Sequence, residues 1–400
     1  MVVVSQVFGS IGAAVGYTVS TVVATDLAGS TAVVGFTLTA SSLCTIAATA
    51  LIARITDARG RRAGLVFGYL AAAVGAAVCV AGITMKSFPV FVIGGVLVSL
   101  ASVTNFQSRF AVADLAGEND SSRGISIVVW VTTIGGIAGP NASALGMVLG
   151  TGISLPAWAG VYLIAGAGFA LAAVVLACLL RPDPLLLKRR STPAEEQPAK
   201  AGALTRFRAG AAAIRGSGTA TFAVVATAVG HTVMVSVMTW TPVHMTHGES
   251  AIGVIGLVLS AHFAGMFAFS PVFGWLASRI GPIPVITAST VVMLAALVVG
   301  GTAPAHEHVR LGVALFLLGL GWCGMFVTGS ALLTDSVEVD ARPAAQGLSD
   351  VVMWTGSAIA AAGAGTVHEW YGFGWLNVLC GVLVLPALVL GVRHLVAGRS

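Results

Sequence analysis

Twelve blocks of apolar residues, each about 20–28 residues long and set apart by turns or charges, dominate this sequence. As a helix, a block of that length crosses a hydrocarbon core of about 30 Å. Within lipid each backbone N–H and C=O has to be satisfied inside its own segment, so blocks of this kind are read as helices. They fall near 2–25, 30–54, 63–84, 88–115, 122–148 and 156–180, then 217–244, 251–277, 282–302, 309–335, 344–367 and 372–397. Composition excludes the soluble alternative. Of 400 residues 57% are hydrophobic and 9% charged, too little charge to cover a water-exposed surface. Fifty glycines suit close helix–helix approach in lipid, where small residues let backbones meet. The expected fold is an all-α membrane protein of twelve transmembrane helices.

The net charge of +5 does not point to nucleic acid, because the basic residues follow the topology. If the N-terminus faces the cytoplasm, Arg54, Arg59, Arg61, Arg62, Arg109, Arg123, Arg279, Arg342, Arg393, Arg399 and the basic residues of the central connection share that side. Of the 20 Lys and Arg, only Lys86 and Arg310 fall on the other. This positive-inside asymmetry predicts that both termini are cytoplasmic, and the expected location is a bacterial inner membrane. Met1 leads directly into a block too long for a signal-peptide core, so no cleaved leader is expected. The cysteines Cys44, Cys79, Cys178, Cys323 and Cys380 are scattered through apolar blocks without a CxxC, which argues against disulfides and structural zinc.

Residues 181–216 form the one long polar connection and divide the chain into six-helix bundles at 1–180 and 217–400. The connection carries Lys188-Arg189-Arg190 and a Pro/Glu/Ala/Lys stretch that reads as flexible linker. Its later part, about 202–215, alternates basic and apolar residues in the manner of an amphipathic surface helix. The two bundles repeat one another. Arg109 through Asp114, Arg123-Gly124 and Trp130 are echoed by Ser330 through Asp335, Gln346-Gly347 and Trp354, about 221–224 residues later. Such a duplication predicts two pseudo-symmetric bundles that alternate access to a site between them.

After the second block the chain reads Ala53-Arg54-Ile55-Thr56-Asp57-Ala58-Arg59-Gly60-Arg61-Arg62, and the second bundle has Gly274 through Gly281 at the matching place. This loop resembles the signature of the major facilitator superfamily, roughly G-x-x-x-D-R-x-G-R-R. Asp57, Gly60, Arg61 and Arg62 match it, while Ala53 and Ala58 depart from it. The resemblance covers the whole chain and implies a secondary-active transporter, not an enzyme. It also implies a cytoplasmic gating network, for which Asp57, Arg61, Arg109, Asp114, Arg123 and Asp350 are the candidates, with Asp335 and Arg342 nearby. Block five holds Gly135-Gly136-Ile137-Ala138-Gly139-Pro140-Asn141-Ala142-Ser143-Ala144, similar to a glycine–proline element frequent in exchangers of that superfamily. The embedded arginine that many proton-coupled drug exporters carry in block four has no counterpart near residues 91–98.

Few polar groups lie at mid-membrane depth, and those that do are candidates for function. Block seven carries Met234 and Met238 four residues apart, on one helical face, and block eight carries His262 and Met266 with the same spacing. Two neighbouring antiparallel helices would present these side chains to a shared space. Thioether sulfur is a soft, neutral ligand, and with imidazole it suits copper, above all Cu(I). No carboxylate accompanies the four, against Mg²⁺, Ca²⁺ or Mn²⁺. A methionine stripe also serves packing, and an embedded histidine also serves interhelical hydrogen bonding. The paired M-x-x-x-M and H-x-x-x-M motifs resemble those of the CcoA-type copper importers. That resemblance implies that Met234, Met238, His262 and Met266 are copper ligands and that copper is the substrate.

His231 stands one turn before Met234 as a possible accessory ligand, and His244 and His247 form a candidate collecting site at the outer mouth. Trp322, Cys323, Met325, Met353 and Trp354 are candidate cavity-lining residues, with Tyr17 and Gln107 as similar cases. No Walker-type loop or nucleophile–base arrangement is present, so neither a nucleotide nor a prosthetic group is expected, and no oligomer is required. Two rivals to copper import stand: a proton-coupled exporter of drugs or small metabolites, and a copper-binding sensor on a transporter scaffold.

Overall fold

The computed structural model describes residues 1–28, 31–114, 121–190, 203–248 and 252–397. Among them each of the twelve expected blocks is helical. The first six correspond to α1 (Val2–Ala28), α2 (Thr31–Arg59), α3 (Arg61–Thr84), α4 (Phe88–Ala113), α5 (Ser121–Gly152) and α6 (Ala157–Leu179). Two short helices follow, α7 (Pro184–Arg190) and α8 (Ala203–Gly216). Block seven is α9 (Gly218–His247). Block eight is α10 (Ile252–Phe263), a π turn at Ala264–Ala268 and α11 (Ser270–Ile280). Then come α12 (Pro282–Gly301), α13 (His308–Asp335) and α14 (Arg342–Ala397). The last comprises blocks eleven and twelve, which meet at Gly372 with φ 84°. Eight helical segments among the described residues are long and apolar enough to cross a membrane by length and composition.

The chain divides into two compact units, one drawn from Met1–Leu115 and Val131–Ala203, the other from Ala116–Trp130 and Leu204–Ser400. In the first, α3 packs on α4 and α6, and α1 packs on α6 and α4. In the second, α9 packs on α14 and α13, while α12 covers α13 and α14.

The signature loop of the first unit is shorter than expected. α2 continues through Asp57 to Arg59, and Gly60 alone, at φ 92°, separates it from α3. Nothing before Gly60 stops the helix, so the acidic and basic residues that read as a loop are its last turns. Asp183 closes this corner. Its Oδ1 accepts the N–H of Arg61 at 3.2 Å and its Oδ2 that of Arg62 at 2.8 Å, satisfying donors that a helix start leaves open. The same Oδ1 accepts the N–H of Leu185 at 3.1 Å and so starts α7 as well. The Lys188-Arg189-Arg190 stretch expected as flexible linker is therefore helical, with Pro184 at the first helical position. A β-carbon on Gly60 would lie 2.5 Å from Asp183 Oδ2.

Of the expected gating residues in this unit, Arg61 and Asp114 meet directly. Arg61 Nε donates to Asp114 Oδ2 at 2.7 Å, with both side chains almost wholly buried. Arg109 lies with its guanidinium 4.0 Å from the centre of the Phe110 ring, which Arg61 also approaches, at 5.7 Å. Asp57 is half-buried on the last turns of α2. Arg123 and Asp350 belong to the second unit, where Asp350 is buried and the Arg123 carbonyl accepts the Ser126 hydroxyl at 2.7 Å.

Candidate functional site

Two buried histidines of the second unit, His231 and His262, bond to α13. His231 of α9 takes a hydrogen bond on Nδ1 from the indole N–H of Trp322 at 3.0 Å. An indole can only donate, so the neutral imidazole keeps its proton on Nε2. Rings close the arrangement on three sides. Trp354 of α14 meets His231 edge-on at 5.1 Å, Phe267 of the π turn meets Trp322 edge-on at 5.8 Å, and Phe326 stacks on Trp322 at 4.6 Å. Trp322 has no exposed surface. The expected cavity-lining residues Cys323, Met325 and Met353 are likewise buried, and Trp354 is half-buried.

Block eight reaches this region by breaking its own helix. Pro271 has no N–H to give to the carbonyl of Phe267, and the Ser270 hydroxyl donates to that carbonyl instead, at 2.8 Å. The π turn at Ala264–Ala268 lies directly before this break. Small residues then bring the segment onto α13. A β-carbon on Gly319 would lie 2.5 Å from the carbonyl oxygen of His262 and 2.9 Å from the N of Met266. His262 is fully buried in this contact, and its Nδ1 lies 2.7 Å from the Leu315 carbonyl. Since the carbonyl accepts, Nδ1 carries the proton and Nε2 carries a lone pair. Among the described residues that lone pair has no hydrogen-bond partner. Met266 is also buried.

The two sequence-predicted ligand pairs lie on α9 and on block eight, and both segments pack on α13. Met234 is buried and Met238 half-buried on α9, in register with His231, whereas His262 and Met266 lie against α13. α10 packs chiefly on α13 and touches α9 only marginally. Trp322 of α13 touches a ring from each of these neighbours, His231 of α9 and Phe267 of the π turn. Among the described residues no three His, Cys, Asp or Glu side chains come together as a metal group, so methionine would have to supply part of any shell.

The expected outer histidines are divided. His244 stacks on Phe373 at 4.4 Å and its Nε2 lies 3.2 Å from the Ala303 carbonyl. His368, which the sequence reading passed over, approaches His244 at 6.4 Å between ring centres. The side chain of His247 lies outside the described residues, as does that of Tyr17. Gln107, in the first unit, is buried and donates to the Thr49 carbonyl at 3.4 Å.

The profile of the Major Facilitator Superfamily matches residues 2–255 and 248–399. The chain belongs to the Major Facilitator Superfamily. It is accordingly a multi-pass membrane transporter and not an enzyme. An uncharacterized MFS-type transporter of Bacillus subtilis (strain 168), YdeG, is 33% identical over 387 residues, covering 96% of this chain and 89% of YdeG. A protein of Brucella anthropi named riboflavin transporter RfnT is 29% identical over 347 residues, covering 84% of this chain and 80% of RfnT. Among solved structures, the E. coli fucose:proton symporter FucP aligns with a TM-score of 0.73 at 14% identity, over 97% of this chain and 98% of FucP. A bacterial homologue of the iron transporter ferroportin aligns with a TM-score of 0.73 at 15% identity, over 98% of both chains. At such identities the likeness is one of fold.

Proposed function

We propose that this transporter carries copper, as Cu(I), into the bacterial cytoplasm by alternating access, with His262 and Met266 as the primary seat. One observation carries the reading: a fully buried imidazole, oriented by a carbonyl on one nitrogen, holds an unpartnered lone pair on the other. Metal-binding histidines have that arrangement, the second nitrogen's hydrogen bond fixing tautomer and direction. A neutral donor beside a buried thioether favours a soft, low-charge ion over zinc or a hard cation. Met234 and Met238 of α9 would supply a second thioether pair, with His231, His244 and His247 as accessory ligands. The ion would pass between pairs as the helices shift, with Asp57, Arg61, Arg109, Asp114, Arg123 and Asp350 in the cytoplasmic gate. Cu(I) titration of purified protein against a colorimetric chelator tests the seat. Binding lost in His262→Ala and Met266→Ala supports it; unchanged binding in both removes it.

A second reading is a planar heteroaromatic solute. The ring cluster of His231, Trp322, Trp354 and Phe267 favours it, as does the similarity to a protein named for riboflavin. Quenching of riboflavin fluorescence on addition of the protein, abolished by Trp354→Ala and indifferent to His262→Ala, would select this reading over copper.

A further inference from the structure

Outside the site, α8 has a face that its own fold does not cover. The helix reads ALTRFRAGAAAIRG, with three arginines and no acidic residue. Only Ser217 separates it from α9, which is long and apolar enough to span the membrane. The joint is fixed. Ser217 N–H donates to the Ile214 carbonyl at 3.3 Å, Thr221 Oγ1 donates to the same carbonyl at 2.8 Å, and Ser217 Oγ accepts the Ala220 N–H at 3.2 Å. A helix held one residue from the end of a spanning helix lies at headgroup depth.

Its residues sort by angle. Phe207, Gly210, Ala211 and Ile214 recur at spacings of three and four and form one apolar stripe. The inner part of that stripe is buried, and Gly210 sits so close to the start of α14 that a β-carbon would lie 2.8 Å from the Ala344 carbonyl oxygen. The outer end overhangs: Phe207 is 52% exposed. Arg208 and Arg215, seven residues apart, share a line roughly 80–100° from Phe207, and both are exposed. An apolar stripe with an uncovered ring and cations along its flank matches a bilayer surface. There the ring enters the acyl boundary while the guanidinium groups reach the phosphates.

We propose that α8 is a binding element for anionic phospholipid, with Phe207 inserted at the headgroup boundary and Arg208 and Arg215 on lipid phosphates. Through Gly210 the bound lipid steadies the start of α14, the helix that carries Trp354. Hydrogen exchange of the full transporter in phosphatidylcholine nanodiscs, with and without phosphatidylglycerol, tests this. Phosphatidylglycerol slows exchange across 203–216, and raised salt, which needs no substitution, cancels the slowing. Arg208→Ala and Arg215→Ala each remove roughly a fivefold share of that protection, while Arg393→Ala leaves it intact. Equal exchange in both lipids overturns the proposal. So does protection by inorganic phosphate or a soluble acidic peptide in phosphatidylcholine alone, which would assign the arginines to a soluble anion.

Discussion

His262 Nδ1 gives its proton to the main-chain carbonyl of Leu315 across 2.7 Å, and this bond decides what the other ring nitrogen can do. It fixes the tautomer with the Nε2 lone pair outward from the contact and locks the ring against α13. His262→Ala is expected to weaken Cu(I) binding by at least about tenfold. Competition titration with a colorimetric Cu(I) chelator measures the loss, and an unchanged melting profile separates it from misfolding. Met266→Leu, which keeps volume and removes sulfur, is expected to weaken binding while leaving thermal stability nearly unaltered.

Trp322 and His231 form a buried polar bond between α13 and α9. Trp322→Phe keeps an aromatic ring in place but removes the donor, leaving Nδ1 without this partner at a cost of about 1–3 kcal/mol. The thermal midpoint of the purified transporter should fall. Pairing Trp322→Phe with His231→Leu, which removes acceptor as well as donor, should cost less than the two single losses added together. Strict additivity would mean that the bond contributes nothing of its own.

The spans were readable because an apolar block of spanning length admits one structure in lipid, and that length survives any error in its ends. Hydropathy is blind to the hydrogen-bond ladder, however. Pro271 announces a break four residues earlier, at the carbonyl of Phe267, yet block eight reads as continuous because the residues around it, Ser270 apart, are apolar. Spacing likewise showed that His262 and Met266 share a face but not which helix that face meets. That choice is made by Gly319 and Gly265, two among fifty glycines with no mark that sets them apart. Asp183 went unread for a different reason. Its role depends on two helix starts brought together from over a hundred residues apart, although the Pro-Asp-Pro turn around it was a visible cue.

The Arg61–Asp114 pair offers a test of the first unit. With its side chains nearly solvent-free, removing either partner leaves a buried charge short of this counter-ion. Arg61→Ala or Asp114→Ala is expected to destabilise by about 3–5 kcal/mol. Replacing both, as Arg61→Met with Asp114→Leu, should recover much of that stability because both charges of the pair are removed together. Thermal unfolding in detergent reads the stability, and uptake in cells reads whether the pair also serves the gate. A double variant that is stable but does not transport would assign it to gating.

Gly60 and Asp183 constrain one another, and the constraint can be separated into parts. Gly60 holds φ 92° and ψ 169°, a region that residues with a β-carbon essentially avoid at a cost of about 1–3 kcal/mol. A β-carbon there would also strike the Asp183 carboxylate. Asp183 in turn caps α3 and α7, and losing a cap costs about 0.5–2 kcal/mol. Asp183→Ala is therefore expected to lower the thermal midpoint moderately, and Gly60→Ala to lower it further, by dihedral strain and collision together. In the double variant the collision is gone but the strain and the lost caps remain. Its loss should fall short of the sum of the single losses, yet exceed that of Asp183→Ala alone. If the two losses simply add in thermal melts of the purified protein, the close approach of Gly60 to the Asp183 carboxylate is not what makes this corner intolerant of a side chain.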